Sequence, residues 1–423
     1  MRPTDAGSSP KIHKVHQSHM RQSLNRVAMT YTFVVAGAGP AGLAAVGTIL
    51  EYLHPYEKVL WVDPSFEGGS IGKDWREVPS NTRATFFRQY AEALGPFRNV
   101  IAKSKQPNAF TIIKTLDESK ECSLSYAADL CVMLSEGLSH SSSVDIKRGK
   151  ITAADWDNMS ARWKVYTSND LENGGSHQYW GRGLVLCTGS HPSTLPAPVY
   201  NLAMTKLPLE TALTPSNLVT MLPKDAIVAV VGGSHSAILV LLNLFNLAST
   251  THPHLQVRWF RRKSLKYAEY KNGWILHDNT GLKGCAASFA RNYLEDDAIY
   301  ASEATKYIST FDCYGDVASE EQLYAKHLPG CTHIISAIGF TRNAVPTLTR
   351  GGDPIETFSL IYNNVTGYFS TLKGGTVPAL FGAGIAFPEL VTDCLGNKEL
   401  NVGMWKFMKF LKRAIPEWLK NIT

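Results

Sequence analysis

The chain has 423 residues, of which 44% are hydrophobic, and it carries a formal net charge of +6 at pH 7. A chain of this length and composition can bury large cores and has room for two or three domains. Residues 1–29 supply +4 of the net charge, so the remainder is close to neutral. This distribution lacks the clustered basic and aromatic residues of a nucleic-acid-binding protein, and nucleic acid is not expected as a partner.

Cysteine usage favours a reducing compartment. The seven cysteines are scattered and never spaced CxxC, which argues against paired disulfides and against thioredoxin-reductase-like dithiol chemistry. The longest apolar stretch, 226–245, is interrupted at 232–236 by Gly-Gly-Ser-His-Ser. It therefore predicts a strand, a turn and a helix, and no transmembrane segment is predicted.

The first 29 residues are rich in serine, histidine and basic residues and lack an apolar core segment, which excludes a secretory signal. We expect a disordered extension and a cytoplasmic protein. A mitochondrial transit peptide is the alternative, since the segment is basic and poor in acidic residues.

In chain order, the first predicted unit is a strand from Tyr31, a glycine turn and a helix to about Tyr52. The turn has the GxGxxG spacing with Gly37, Gly39 and Gly42, and a second strand ends in Asp63, 21 residues after Gly42. Such a turn lets a pyrophosphate approach the helix N-terminus, and an acid at this separation hydrogen-bonds a ribose hydroxyl. The unit therefore predicts a bound dinucleotide.

Between the two glycine turns lie a loop, a helix and several strands. The loop at 66–72 either folds over a cofactor or is a plain surface loop. A helix is predicted over 123–138 and strands over 144–151, 162–166 and 183–187, the last one running into Thr188 and Gly189. The proline-rich stretch 193–224 predicts a linker.

The second unit repeats the pattern with a less regular turn, Gly232 to Ala237, in which Ser234 replaces the middle glycine. Its following strand, 256–260, ends in Arg261, Arg262 and Lys263. Arginine at this place accommodates a 2′-phosphate, which favours NADPH over NADH. A solvated basic face is the alternative. His235 is expected to be an exposed residue of the turn in preference to a phosphate ligand.

Two further strands end in glycines. The strand from His333 runs into Gly339 and is expected to return the chain to the first domain, and the strand 378–381 runs into Gly382 and Gly384. The stretch 403–419 mixes aromatic residues and methionines with lysines. A packing face within the domain is favoured over a membrane-surface helix.

Taken in order, these turns and crossings resemble the two-dinucleotide-binding-domain flavoproteins of glutathione-reductase-like fold over residues 31–412. Gly232 to Ala237 is similar to the GGQSA turn, and Ala337 to Phe340 to the ATGY crossing, of N-hydroxylating class B flavoprotein monooxygenases. The resemblance implies an α/β fold of two Rossmann-like domains, with the NAD(P)H domain (220–329) inserted in the FAD domain (30–195 and 330–423).

The resemblance also implies FAD and NADPH as cofactors, a small-molecule substrate and molecular oxygen. The implied activity is hydroxylation of an amine or sulfur substrate through a flavin hydroperoxide. A flavin reductase that passes electrons to a quinone or protein, and a non-catalytic dinucleotide-binding protein, are the alternatives. The residues expected to contact the cofactors are Gly37, Gly39, Pro40, Ala41, Gly42, Asp63, Thr188, Gly189, Gly232, Gly233, Ser234, Ala237, Arg261, Arg262, Gly339, Gly382 and Gly384.

Overall fold

The computed structural model describes residues 29–168, 178–195, 203–356 and 359–422. Apart from Met29, the predicted extension at 1–29 lies outside these ranges. The strands within them are β1 (Thr30–Ala36), β2 (Val59–Asp63), β3 (Pro79–Arg83), β4 (Glu121–Ser123), β5 (Val144–Arg148), β6 (Ile151–Asp157), β7 (Arg162–Thr167), β8 (Tyr179–Leu186), β9 (Ser190–Pro192), β10 (Thr205–Lys206), β11 (Ile227–Val231), β12 (Gln256–Arg261), β13 (Glu269–Tyr270), β14 (Ile275–Leu276), β15 (Ile308–Asp312), β16 (His333–Ser336), β17 (Phe340–Arg342), β18 (Thr347–Arg350), β19 (Asp353–Ile355), β20 (Leu360–Tyr362), β21 (Tyr368–Thr371), β22 (Thr376–Gly382), β23 (Glu389–Thr392) and β24 (Lys398–Asn401).

The helices alternate with these strands, and a short 3₁₀ helix spans Glu303–Lys306. The α-helices are α1 (Pro40–Leu50), α2 (Ser70–Lys73), α3 (Ala84–Glu92), α4 (Gly95–Lys103), α5 (Ala109–Thr115), α6 (Leu124–Ser139), α7 (Leu209–Ala212), α8 (Pro215–Met221), α9 (His235–Thr250), α10 (Gly284–Tyr293), α11 (Asp296–Ala301), α12 (Val317–His327) and α13 (Met404–Lys420).

The first domain is built on a mixed sheet whose centre is parallel. Strands β22, β8, β1, β2 and β5 are parallel neighbours in that order. The antiparallel strands β6 and β7 extend the sheet from the first half of β8. Strand β1 is buried along nearly its whole length, as expected for a parallel strand covered on both faces.

The second domain contains a separate parallel sheet with the order β10-β16-β11-β12-β15. All five strands come between β9 and β17 in the chain, so this domain is inserted in the first one. The predicted α/β fold with two Rossmann-like domains is thus confirmed.

The limits of the inserted domain differ from the predicted range 220–329. Strand β16 pairs with β10 and β11, so residues 333–336 belong to the second sheet and not to the first domain. Strand β10 lies inside the stretch predicted as a linker and forms the edge of the same sheet. A strand as short as β10 shows no hydrophobic periodicity in the sequence, and the surrounding prolines favoured the prediction of a linker.

The C-terminal helix α13 closes the first domain. Phe407, Met408, Leu411 and Trp418 are buried in the same core as residues of α1, and the Trp418 ring stacks on Phe381 at 4.7 Å. The predicted packing face is therefore confirmed. Within the described ranges, no helix combines the length and the apolar character needed to cross a membrane.

Candidate functional site

The first glycine turn is so tightly packed that side chains are excluded from it. Gly37 has a φ of +105°, and a Cβ there would lie 2.3 Å from the carbonyl oxygen of Cys187. A Cβ on Gly42 would lie 1.9 Å from the carbonyl oxygen of Gly37. Helix α1 follows Gly39 with Pro40 in its first turn and without a side-chain cap. The first N–H groups of α1 are thus left for an anionic ligand, as at a pyrophosphate site.

Two residues of β2 fix the shape of this turn. The indole Nε1 of Trp61 donates a 2.8 Å hydrogen bond to the carbonyl oxygen of Gly37. Asp63 is 7% exposed, and its Oδ2 accepts a 2.7 Å bond from the Ala38 N–H. Its Oδ1 accepts from the backbone N–H groups of Ser65 and Phe66 at 2.9 and 2.8 Å. Asp63 therefore ties the turn to the next loop, a role in addition to the predicted ribose contact.

Two other glycine-containing segments cover the same turn. A Cβ on Gly69 would lie 2.8 Å from the Cα of Gly39, so the loop at 66–72 packs directly on the turn. A Cβ on Gly384, which has a φ of +87°, would lie 2.6 Å from the Cβ of Ala41. Gly382 instead packs against the ring of Phe387. The loop at 66–72 therefore covers the first turn, as the interpretation of this loop as a cofactor cover requires.

The two connections between the domains run side by side. Strands β9 and β17 pair antiparallel, with Thr341 opposite His191. Asn343 joins the connections, since its Nδ2 donates to the Thr188 carbonyl at 2.8 Å and its backbone N–H donates to the Gly189 carbonyl at 3.1 Å. The buried Oγ1 of Thr188 has no hydrogen-bond partner within the described residues. This unsatisfied hydroxyl, close to the first turn, can bond a ligand.

The second glycine turn repeats the first one in detail. Gly232 has a φ of +139°, and a Cβ there would lie 2.2 Å from the carbonyl oxygen of Ala337 and 3.3 Å from the Cβ of Ala237. Trp259 Nε1 donates a 2.7 Å bond to the Gly232 carbonyl. Ser234, the predicted obstacle, is exposed and precedes α9 without a side-chain cap in the described part of the chain. Its side chain therefore leaves the first N–H groups of α9 accessible.

The basic residues predicted to hold a 2′-phosphate are already paired with carboxylates. The Arg261 side chain is 4% exposed and its Nε lies 2.6 Å from Asp312 Oδ1. The Arg262 side chain is 62% exposed and its Nε lies 2.8 Å from Glu320 Oε1. Lys263 is exposed, and no ion pair involves it among the described residues. Arg262 and Lys263 are therefore more accessible to a phosphate than Arg261, which is mainly structural. Sequence alone did not reveal the pairing with Asp312.

His235 is not the exposed residue that the sequence analysis expects. It is half-buried at the start of α9, and its Nδ1 is buried without a partner within the described ranges. Burial, together with the nearby positive charge of Lys283, lowers the pKa of His235 to about 4. The ring is therefore neutral at physiological pH and keeps one unsatisfied nitrogen at the second turn.

Aromatic and apolar residues lie where the domains meet. Trp75, between α2 and β3, is partly buried and packs against the core of the second domain. Its ring makes an edge contact with Phe340, at 6.0 Å between centroids. Arg83 of β3 stacks over Tyr270 of the second domain at 4.5 Å. These contacts give the interdomain region an aromatic lining.

The site contains neither a metal-binding cluster nor a reactive thiol in the part of the chain described. No group of three or more potential metal ligands occurs there. All seven cysteines are free, and burial raises the pKa of Cys187, beside the first turn, to about 12. A thiol with such a pKa stays protonated at neutral pH and is a poor nucleophile.

Comparison with known proteins gives one close sequence relative and several similar folds. The chain is 47% identical over 388 residues to monooxygenase AgnR1 of Paecilomyces divaricatus. The match spans 91% of this chain and 97% of that protein. The FAD-bound cadaverine monooxygenase DfoA of Erwinia amylovora matches 93% of this chain and 96% of its own, with a TM-score of 0.61 and 13% identity. FAD-bound OTEMO matches 93% of this chain and 98% of its own, with a TM-score of 0.54 and 11% identity. No family model matches the sequence.

Proposed function

The chain belongs to the family of the monooxygenase AgnR1, and on this premise we propose that it is an FAD- and NADPH-dependent monooxygenase that hydroxylates a small nucleophilic substrate at nitrogen or sulfur. The observation that carries the proposal is the pair of matching glycine turns, each ending in an uncapped helix N-terminus. Two such turns in one chain provide for two dinucleotides. The amine or sulfur class follows from the resemblance to N-hydroxylating enzymes.

FAD fits the first turn for three reasons. The backbone of Gly37 and Gly42 excludes a Cβ, the start of α1 lacks a side-chain cap, and Thr188 offers an unsatisfied hydroxyl. In this arrangement residues 37–42 hold the pyrophosphate and Gly384 lies against the same helix start. The similar folds of DfoA and OTEMO, both bound to FAD, agree with the proposal.

NADPH fits the second turn with a revised set of basic residues. Gly232, Gly233 and Ala237 form the turn, and a Cβ on Gly233 would lie 3.7 Å from the Lys263 carbonyl oxygen, which places the basic segment beside it. We therefore assign the 2′-phosphate chiefly to Arg262 and Lys263, with Arg261 holding the strand end through Asp312. Guanidinium and ammonium groups at this place favour the phosphorylated ribose.

When bound, FAD and NADPH would supply hydride transfer and the activation of oxygen for hydroxylation of the substrate. The residues of the chain orient the cofactors and the substrate and exclude water. Trp75 and Phe340 cover the region between the domains with aromatic surface, and such surface keeps water from the reacting atoms. Asn343 holds the two interdomain connections together, and this link keeps the relative position of the two turns fixed.

The free cysteines support a reducing compartment, for which we propose the cytoplasm.

The decisive experiment mixes the purified yellow protein anaerobically with NADPH or NADH and then admits air with a panel of amines and sulfides. We expect faster flavin bleaching with NADPH, and one hydroxylated product for each oxygen consumed. Rapid quinone reduction with only hydrogen peroxide formed in air would establish the reductase instead. A flavoprotein that neither nucleotide reduces would point to a non-catalytic protein.

A further inference from the structure

A polar network joins the second domain to the end of the first one. The loop at 277–283, between β14 and α10, lies against β24 and the start of α13. Lys406 Nζ of α13 lies 2.7 Å from Asp278 Oδ2 and donates a 2.6 Å bond to Asn279 Oδ1. The network therefore crosses directly from one domain to the other.

Asp278 is the shared counter-ion of two lysines. Lys406 binds one carboxylate oxygen and Lys283 binds the other. The Lys283 and Lys406 side chains are only 9% and 20% exposed, and that of Asp278 is 29% exposed. Burial alone would raise the pKa of Asp278, but Lys406 and Lys283 together hold it below its usual value. Two largely buried cations thus depend on one carboxylate, and removal of a partner from such a group is costly.

Further hydrogen bonds hold the loop in place beside the ion pairs. Glu399 of β24 accepts from the Asn279 backbone N–H at 2.9 Å and from the Thr280 hydroxyl. The Val402 N–H donates to Asn279 Oδ1 at 3.1 Å. The loop is therefore fixed to the first domain through several backbone and side-chain groups.

The other end of the network reaches the second glycine turn. Lys283 is the N-cap residue of α10, and α10 packs beside α9 in one buried core. The positive charge of Lys283 also contributes to the lowered pKa of His235. His235 is the first residue of α9, directly after Ser234. A path of contacts thus leads from α13 through Lys406, Asp278 and Lys283 into α10, which packs on the helix whose start is proposed to bind the second dinucleotide.

We propose that Asp278 is a positioning residue that couples α13 of the first domain to the second glycine turn, so that Lys406 helps to set the affinity for NADP(H). The inference rests on the proposed NADPH site. It does not depend on the identity of the substrate or on the oxygenation step.

Lys406→Met removes the ion pair between the two domains and leaves Asp278 paired with Lys283. Lys409→Met is the matched control, because Lys409 is an exposed lysine of the same helix. Lys406→Arg retains the cation and should restore the coupling. Asp278→Asn is a stronger change, since it leaves two buried lysines without a carboxylate.

We expect Lys406→Met in the FAD-loaded enzyme to raise the Kd for NADP⁺ about tenfold by calorimetry, and to speed amide exchange about fivefold at residues 277–283 and 238–241. Exchange at residues 43–46 of α1 and the flavin content should stay unchanged. Lys406→Arg should behave like the unmodified protein.

A folded Lys406→Met variant with unchanged NADP⁺ affinity and unchanged exchange at 238–241 would overturn the proposal, as would an equal response of Lys409→Met. The oxygenation assay is independent of these readouts. If the unmodified enzyme forms no hydroxylated product but the exchange response is seen, the proposed function fails and the coupling stands.

Discussion

In both domains a tryptophan of the second strand donates its indole N–H to the carbonyl oxygen of the first glycine in the turn, Trp61 to Gly37 at 2.8 Å and Trp259 to Gly232 at 2.7 Å. In both, that glycine packs against a carbonyl oxygen at the end of a neighbouring strand, that of Cys187 after β8 and that of Ala337 after β16. Each of these strands leads into an interdomain crossing. The same backbone arrangement is therefore built twice from different sequences. This shared arrangement determines where a pyrophosphate can approach.

The two units differ at the end of that second strand, two residues after the tryptophan. The first has Asp63 opposite Arg148 of β5, and the second has Arg261 opposite Asp312 of β15. The charges are exchanged between the neighbouring strands. The two units therefore share the turn but carry opposite charges at the end of the second strand.

The two turns also differ in how they are covered. The loop at 66–72 and Gly384 pack on the first turn, whereas Ser234 of the second turn is exposed. A covered turn suits a cofactor that stays bound, and an open turn suits one that exchanges in every catalytic cycle.

The largest effects are expected from alanine at the first glycine of each turn. Gly37→Ala and Gly232→Ala both place a Cβ within 2.3 Å of a carbonyl oxygen at positive φ, which should cost about 3–5 kcal/mol of folding free energy. We expect Gly37→Ala to lose FAD, and Gly232→Ala to keep FAD but resist reduction by NADPH. Flavin absorbance and anaerobic stopped-flow measure these outcomes.

Gly374→Ala is the control for this pair, because Gly374 also has a positive φ of +86° but has no atom within 4 Å of its would-be Cβ. It should cost only about 1 kcal/mol. Equal losses in all three variants would show that backbone strain, and not the close approach, determines the effect.

The stability of the second unit should depend on pH through His235. His235 occupies the helix start that Pro40 occupies in the first unit, and its pKa is lowered from 6.5 to about 4. The unfolded chain therefore binds the proton more tightly, so stability is complete above pH 6.5 and declines as the pH falls towards 4, by up to about 3 kcal/mol. Urea titrations at several pH values should show this slope, and His235→Gln should reduce it. The exposed His140→Gln should not, and a slope unaltered by His235→Gln would contradict the assignment.

Removal of the indole donor should have a smaller effect that separates the two cofactors. Trp61→Phe and Trp259→Phe each leave a glycine carbonyl without its donor, at a cost of about 1–2 kcal/mol. We expect weaker retention of FAD in the first variant and a higher KM for NADPH in the second. If both variants lost FAD equally, the two turns would not serve different cofactors.

The smallest effect concerns the preference between nicotinamide cofactors. Arg262→Ala and Lys263→Ala should each raise the KM for NADPH about tenfold and leave the KM for NADH unchanged, because each removes a charged hydrogen bond to the 2′-phosphate. Lys271→Ala, an exposed change in the same domain, is the control. Parallel changes in both KM values would place the phosphate elsewhere.

Much of the fold could be predicted from sequence because glycine turns, apolar strands and strand-end charges are local patterns. The two Rossmann-like units, their insertion and the packing role of α13 were predicted in this way. Strand β10 was missed because only two residues pair there. The site was less predictable. Three of its features depend on residues distant in sequence: the pairing of Arg261 with Asp312, the burial of His235, and the hydrogen bonds by which Asn343 joins the interdomain connections. The repeated tryptophan, two residues before Asp63 and before Arg261, was a local signal that could have been used.

The insertion has a consequence for the order of folding during synthesis. The second sheet is complete once β16 has been made, whereas the first sheet still needs β22, and α1 still needs α13 to cover its apolar face. The inserted domain can therefore reach its native state first, while the earlier-made half of the first domain still exposes apolar surface. Such surface is prone to association with chaperones or other nascent chains. Truncation between residues 337 and 404 should thus be more harmful to the first domain than to the second.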